Sequence, residues 1–221
     1  VINSIMPTIN NISVSDAEFT GMQERATAYI CKRAFQDNKR FASPEDIVKD
    51  TVTKNGLEKL FLKGGKKLFK FSLPIESKTP EDKWLNTFFA QQKKLLTEFS
   101  NAKFTVFNRD GGFMNFISEL INDRYGISQK DRWDPADIWL IETKDKYREL
   151  IKKELEGPSE TQSILELNAI MRKLFKERKV VGLSLKLISG QTARYEEVNV
   201  SEKFYDSLKG YDYTLGDITC K

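Results

Sequence analysis

The second half of the chain alternates short apolar runs with helical patterns, which strongly limits the folds that it can adopt. Residues 137–141 read Asp-Ile-Trp-Leu-Ile, a run typical of a buried strand, and residues 179–188 form a second apolar strand. Between them, a charged helix is expected over about residues 144–155, and a helix with a series of apolar side chains over residues 160–177. This order predicts an α/β fold with a mixed central sheet flanked by helices.

The first half of the chain is predicted to be largely helical. A helix is expected over residues 15–35 with Ser15 as its N-cap, a second begins at Ser43-Pro44 and ends near residues 55–56, and a third begins at Thr79-Pro80. Short strands are expected within residues 67–73 and at 104–107. A helix follows over residues 113–126, and a strand over 195–200 is expected to pair with the one at 179–188.

The length of 221 residues fits one domain. We expect a single domain over 1–221, with 37–100 as a helical and basic insertion and 210–221 as a tail. No run of about 18 apolar residues is present, so the sequence predicts no membrane span. The N-terminus lacks the pattern of a secretory signal, and its start at Val1 suggests a trimmed or processed chain.

Histidine is absent and cysteine occurs twice, as Cys31 and Cys220. These counts exclude Ser–His and Cys–His nucleophiles, general catalysis by histidine, and zinc sites with histidine or four cysteines. A reducing, intracellular and non-secreted setting is expected from so few cysteines. An enzyme of this composition must work with carboxylates, lysines, hydroxyls and a hard metal ion.

The strongest charge bias lies at residues 54–70, which hold six lysines against one glutamate. Phenylalanines interleave the lysines, and Gly64-Gly65 lies at the centre. One interpretation is an arm that follows nucleic-acid phosphates, with contacts from Lys63, Lys66, Lys67 and Lys70. The other is a hairpin or helix face that is simply solvated.

Two short segments carry the candidate chemistry: Pro135-x-Asp137 before one apolar strand, and Ser184-Leu185-Lys186 within the other. Ser184 and Lys186 differ by two positions and share a face of a regular strand. A lysine among leucines is costly unless its amine reaches water or a partner. An edge strand with one solvated face would also explain the lysine, and a strand-end cap would explain Asp137.

Together these segments resemble the PD-(D/E)xK nuclease superfamily, whose members have the restriction-endonuclease-like fold. The resemblance spans about residues 15–200. It implies that Asp137 and a second acid hold Mg²⁺, with Mn²⁺ as a substitute, and that Lys186 orients or activates the attacking water. The backbone carbonyl of Leu185 would be a further metal ligand.

The sequence departs from the family pattern at Ser184, where an acid is usual. Some members carry serine there and supply the acid from elsewhere, so Ser184 remains a candidate catalytic-site residue. We rank Glu24 on the first helix as the leading second acid, followed by Glu197 and then Glu196. Glu142, five residues after Asp137, is a poorer candidate.

The resemblance implies a Mg²⁺-dependent endonuclease that hydrolyses DNA phosphodiester bonds. Nucleases of this size often act as dimers, so a homodimer on duplex DNA is one expected arrangement. The alternative is a non-catalytic protein on a nuclease-like fold. Such a protein would bind nucleic acid or belong to a structural assembly, for example of a phage or a mobile element.

Overall fold

The computed structural model describes residues 8–9, 11–109, 112–128, 136–143, 145–156, 164–185 and 193. The described helices are α1 (Asp16–Phe35), α2 (Pro44–Lys49), α3 (Thr51–Leu60), α4 (Pro80–Glu98), α5 (Gly112–Tyr125), α6 (Lys146–Glu154) and α7 (Ile164–Lys176). The described strands are β1 (Thr8–Ile9), β2 (Ile12–Ser13), β3 (Leu62–Lys63), β4 (Lys66–Lys67), β5 (Val106–Asn108), β6 (Ile138–Ile141) and β7 (Val180–Leu183).

Local capping fixes where the long N-terminal helices begin. Ser15 and Glu18 form a capping box at α1, in which Glu18 Oε2 accepts from the Ser15 backbone N–H at 3.0 Å. The Thr79 side chain accepts from the Asp82 N–H at the start of α4. Both predicted helix starts are therefore confirmed by hydrogen bonds to the first turn.

The second predicted helix is two helices, and its predicted end near residues 55–56 is wrong. Asp50 ends α2 and caps α3, since its carboxylate accepts from the Thr53 N–H at 2.9 Å. The chain then continues as helix through Gly56 to Leu60. A Cβ at Gly56 would collide with the Tyr29 ring, so this glycine permits close packing of α3 on α1 rather than ending the helix.

The central sheet has the order β5-β6-β7. In its register Phe107 lies opposite Leu140 and Leu140 opposite Val181, and both strand pairs are antiparallel. The predicted α/β class is confirmed. The parallel pairing that a mixed sheet requires does not occur among the described strands.

Helices cover both faces of this sheet. Ile138 and Leu140 pack with residues of α1 and α4, including Ala28 and Leu95. The alternate residues Trp139 and Ile141 pack with α5, α6 and α7. All four β6 side chains are buried because the strand lies between two layers, which explains its continuous apolar sequence.

Several predicted strands differ from the observed ones. Within residues 67–73 only Lys67 is in a strand, because Leu68, Phe69 and Phe71 turn inward to a core shared with α1 and α4. The strand predicted at 104–107 lies at 106–108. Within 179–188, β7 ends at Leu183; residues 186–188 and the strand predicted at 195–200 lie outside the described residues.

Residues 41–88 contribute most of the core that includes Met22, Ala26 and Ile30 of α1. The 37–100 segment therefore packs directly on the first helix, while its description as an insertion stays a prediction. The tail at 210–221 lies outside the described residues. None of the described helices combines the length and apolar character needed to cross a bilayer.

Candidate functional site

The two segments singled out in the sequence meet at one end of the sheet. The Asp137 N–H donates to the Leu183 carbonyl at 2.8 Å. The Asp137 Oδ2 accepts from the Leu185 N–H at 2.5 Å and from the Ser184 hydroxyl at 3.3 Å. The carboxylate of the first segment is therefore held directly against the backbone and hydroxyl of the second.

These contacts also explain how the strands end. The carboxylate of Asp137 satisfies an N–H just beyond β7, as a side-chain cap does. Ser184 is exposed, while Leu183 and Leu185 belong to the same core cluster, so the expected alternation continues through Leu185 although β7 itself ends at Leu183. Leu185 turns toward the core between the sheet and α1.

Glu24 lies on α1 and is bound by an arginine that the sequence analysis did not consider. Arg109 Nε donates to Glu24 Oε2 at 2.6 Å, and the Glu24 side chain is only 12% exposed. Arg109 follows β5, where Asn108 lies opposite Trp139. In the antiparallel pairing of β5 with β6, the Asn108 end of β5 is the end that lies nearer Asp137. Glu24 is thus anchored toward the end of the sheet that carries Asp137.

Part of the predicted metal site lies outside the described residues, namely Lys186, Glu196 and Glu197. The part that is described offers hard oxygen donors of the type Mg²⁺ prefers: the Asp137 carboxylate and the Leu185 carbonyl. Glu24 would join them only by sharing its carboxylate with Arg109. Within the described residues, no three acids, cysteines or histidines are grouped closely enough to hold a metal.

The basic segment forms a hairpin whose phenylalanines face inward. β3 and β4 pair antiparallel, and both turn residues, Gly64 and Gly65, have positive φ, as a type I′ hairpin turn requires. Phe61, Phe69 and Phe71 are fully buried and contact one another in tilted and edge-to-face arrangements. They are core residues, so no base can stack on them.

The four candidate nucleic-acid lysines differ in their partners. Lys63 pairs with Glu18 at 2.7 Å, and Lys67 pairs with the buried Glu58 at 2.5 Å. Lys66 and Lys70 are exposed, and no carboxylate contacts either one within the described part of the chain. The hairpin therefore offers two of its four lysines to an external phosphate without breaking an ion pair.

The opposite end of β6 holds a polar network that the sequence analysis missed. The Glu142 carboxylate accepts from the Tyr147 hydroxyl and from Lys179 Nζ, the latter at 2.7 Å. Lys179, then Tyr147, lower the pKa of Glu142. Burial, then Glu142, raise the pKa of Tyr147. The network connects α6 with the end of β6 and the start of β7. No sequence motif indicates it.

A cleft of about 420 Å³ runs beside β5. It reaches from the end of α1 to the start of α6, and its lining includes Lys32, Tyr147 and Arg148. No sequence motif indicates this cleft, because its walls come from five separate elements, namely α1, β5, α5, β6 and α6.

No protein-family model matches the chain, and comparisons with curated proteins and with solved structures find no match. The resemblance to the nuclease superfamily therefore stays a prediction from the two short segments and the order of elements.

Proposed function

We propose that the protein is a metal-dependent nuclease that acts on DNA at the Asp137 end of the sheet. The observation that carries the proposal is the direct contact of Asp137 with Ser184 and the Leu185 N–H. Two segments 47 residues apart in sequence come together as phosphodiester hydrolysis by this type of site would require.

The chemistry assigned to each residue follows from its donor atoms. Asp137 and the Leu185 carbonyl would hold Mg²⁺ or Mn²⁺, which supplies Lewis-acid activation of the phosphate and the attacking water. Asp137 is already oriented by its backbone contact, which lowers the entropic cost of binding a cation. Lys186 would position the water or stabilise the charge that develops on the phosphate.

Glu24 and Arg109 form the supporting pair of this proposal. A carboxylate shared between an arginine and a metal is restrained in orientation, so Arg109 would act as a positioning residue for Glu24. Ser184 would orient Asp137 through its hydroxyl. Glu197 and Glu196 remain the other proposed sources of the second acid.

The direct test is cleavage of labelled linear, circular and single-stranded DNA with Mg²⁺, Mn²⁺ or EDTA. The variant is Lys186→Met, and the matched control is Lys93→Met on the exposed face of α4. We expect metal-dependent cleavage by the wild type and the control, and a loss of about 100-fold or more in Lys186→Met. Absence of cleavage by folded wild type on every substrate would overturn the proposal.

A second candidate function is nucleic-acid binding without cleavage. It is favoured by Ser184 at the usual acid position and by the absence of a three-acid group within the described residues. It predicts salt-sensitive DNA binding in EDTA with no metal-dependent products. A structural assembly protein would instead associate with protein in a salt-insensitive way, and a homodimer would be one such association.

A further inference from the structure

The cleft beside β5 has the size and lining of a ligand-binding pocket. Its volume of about 420 Å³ falls within the range of small-molecule sites. One wall is β5, which lies at the edge of the sheet formed by the described strands, and another is the first turn of α5, which begins at Gly112. The cleft extends toward residues 141–148, away from the Asp137 end of β6.

The charged side chains of the cleft favour an anion. Lys32 and Arg148 enter it from different helices, and Asp145 is the one acid among its described lining residues. Asp145 contacts Arg148 Nη1 at 3.2 Å, and the guanidinium lies over the Phe116 ring at 5.2 Å. Arg148 is therefore held in place before any ligand arrives, and its planar guanidinium suits phosphate.

Aromatic side chains supply the apolar part of the lining. Phe107, Phe113 and Tyr147 all border the cleft. The Tyr147 hydroxyl donates to Glu142, which restrains the orientation of this ring in the lining. A small organic ligand with a flat ring and an anionic group would use both parts of the lining.

We propose that this cleft binds a phosphate-bearing molecule the size of a mononucleotide, with Lys32 and Arg148 as its phosphate ligands. Inorganic phosphate alone would leave most of the volume unfilled. The same nucleoside-phosphate chemistry can come from a free nucleotide or from a nucleotide within a strand. The site is independent of Asp137 and of any metal.

The test is equilibrium binding by calorimetry, with the 221-residue chain in EDTA at low salt. The probes are adenosine and cytidine 5′-monophosphates, adenosine, inorganic phosphate and a single-stranded oligonucleotide. We expect saturable binding of the nucleotides, and a Kd raised about tenfold in Lys32→Met and in Arg148→Met. Lys93→Met should bind as the wild type does. Because Lys32 is exposed, its variant tests the site even where Arg148→Met fails to fold.

Competition by the oligonucleotide would support a strand-borne nucleotide, and its absence would support a free one. The proposal is overturned by no saturable nucleotide binding up to about 10 mM, or by unchanged Kd values in the folded variants. Equal affinity for adenosine and its monophosphate, or for inorganic phosphate and the nucleotides, would also overturn it. This assay measures binding and not cleavage. Its result therefore neither supports nor contradicts the nuclease proposal.

Discussion

The two ends of strand β6 use a carboxylate in different ways. At one end, Asp137 accepts hydrogen bonds from Ser184 and the Leu185 N–H, and no cation contacts it within the described residues. At the other end, Glu142 is neutralised by Lys179 and is also bound by Tyr147. A carboxylate without a protein cation is the one available to an external cation.

Glu142 has the contacts of a stabilising ion pair, whereas Asp137 has the contacts expected of the proposed metal ligand. Neutralising Glu142 inside the protein lowers the cost of partly burying it and joins β6, α6 and the segment before β7. Asp137 contacts no cationic side chain of the described residues, as the proposed metal site would require. Glu24 shares a feature with each of them, because it lies toward the Asp137 end of the sheet but forms an ion pair with Arg109.

The largest expected effect is on catalysis at the Asp137 end. Asp137→Asn keeps an oxygen acceptor for the Leu185 N–H but removes the charge, so cleavage should fall about 100-fold or more while stability changes little. Asp137→Ala should lose cleavage equally and also lose about 1 kcal/mol of stability. Cleavage rates and urea unfolding of both variants measure this split. Full activity in Asp137→Asn would remove the aspartate from the mechanism.

The next effect is on stability at the Glu142 end. Glu142→Gln leaves Lys179 without its carboxylate partner, and should lower the free energy of unfolding by about 1–2 kcal/mol. Urea denaturation followed by circular dichroism measures it. An unchanged unfolding midpoint would mean that the network contributes no stability.

The pH dependence of stability tests whether Glu142 stabilises the fold through its charge. The pKa of Glu142 is lower in the folded protein than in the unfolded chain. The stabilisation that the Glu142 carboxylate provides is therefore fully present above the ordinary glutamate pKa of about 4.3. It is lost as the pH falls through the pKa of Glu142 in the folded protein. The stability difference between wild type and Glu142→Gln should shrink below about pH 4.3. A difference that is constant from pH 7 to pH 3 would contradict this cause.

The smallest expected effects concern the hairpin. Lys66→Ala and Lys70→Ala should each weaken DNA binding a few-fold and reduce the salt slope by about one. Lys67→Ala should instead lower stability, because it leaves the buried Glu58 without its ion pair. Binding titrations at several salt concentrations, with thermal unfolding alongside, distinguish the two groups. Equal salt slopes for all variants and wild type would exclude the hairpin from binding.

The sequence predicted the elements that local rules determine. Ser15 and Thr79 cap their helices as expected, and the continuous apolar run at 138–141 is a buried strand. The helix was predicted to end near Gly56, but this glycine instead makes room for the Tyr29 ring. That contact could not be predicted locally, because Tyr29 lies 27 residues earlier in the chain. The buried phenylalanines of the basic hairpin were likewise fixed by tertiary packing on α1.

The candidate site was only partly accessible to sequence reasoning. The resemblance implied that the Asp137 and Ser184 segments belong to one site, and the two side chains are in contact. Ser184 was predicted within a strand but lies just beyond β7. Arg109 and Lys179 were missed because nothing in their local sequence indicates which acid each one binds. The metal-binding role of Asp137 and the roles of Lys186, Glu196 and Glu197 stay predictions.

The most direct measurement compares metal-dependent DNA cleavage by wild type, Asp137→Asn and Glu142→Gln, at a temperature where all three are folded. The two variants remove one charge each from opposite ends of the same strand. Our account predicts that Asp137→Asn loses cleavage with Mg²⁺ and Mn²⁺, while Glu142→Gln retains it. Cleavage that survives in Asp137→Asn, or is lost only in Glu142→Gln, would contradict the assignment of the chemistry to the Asp137 end.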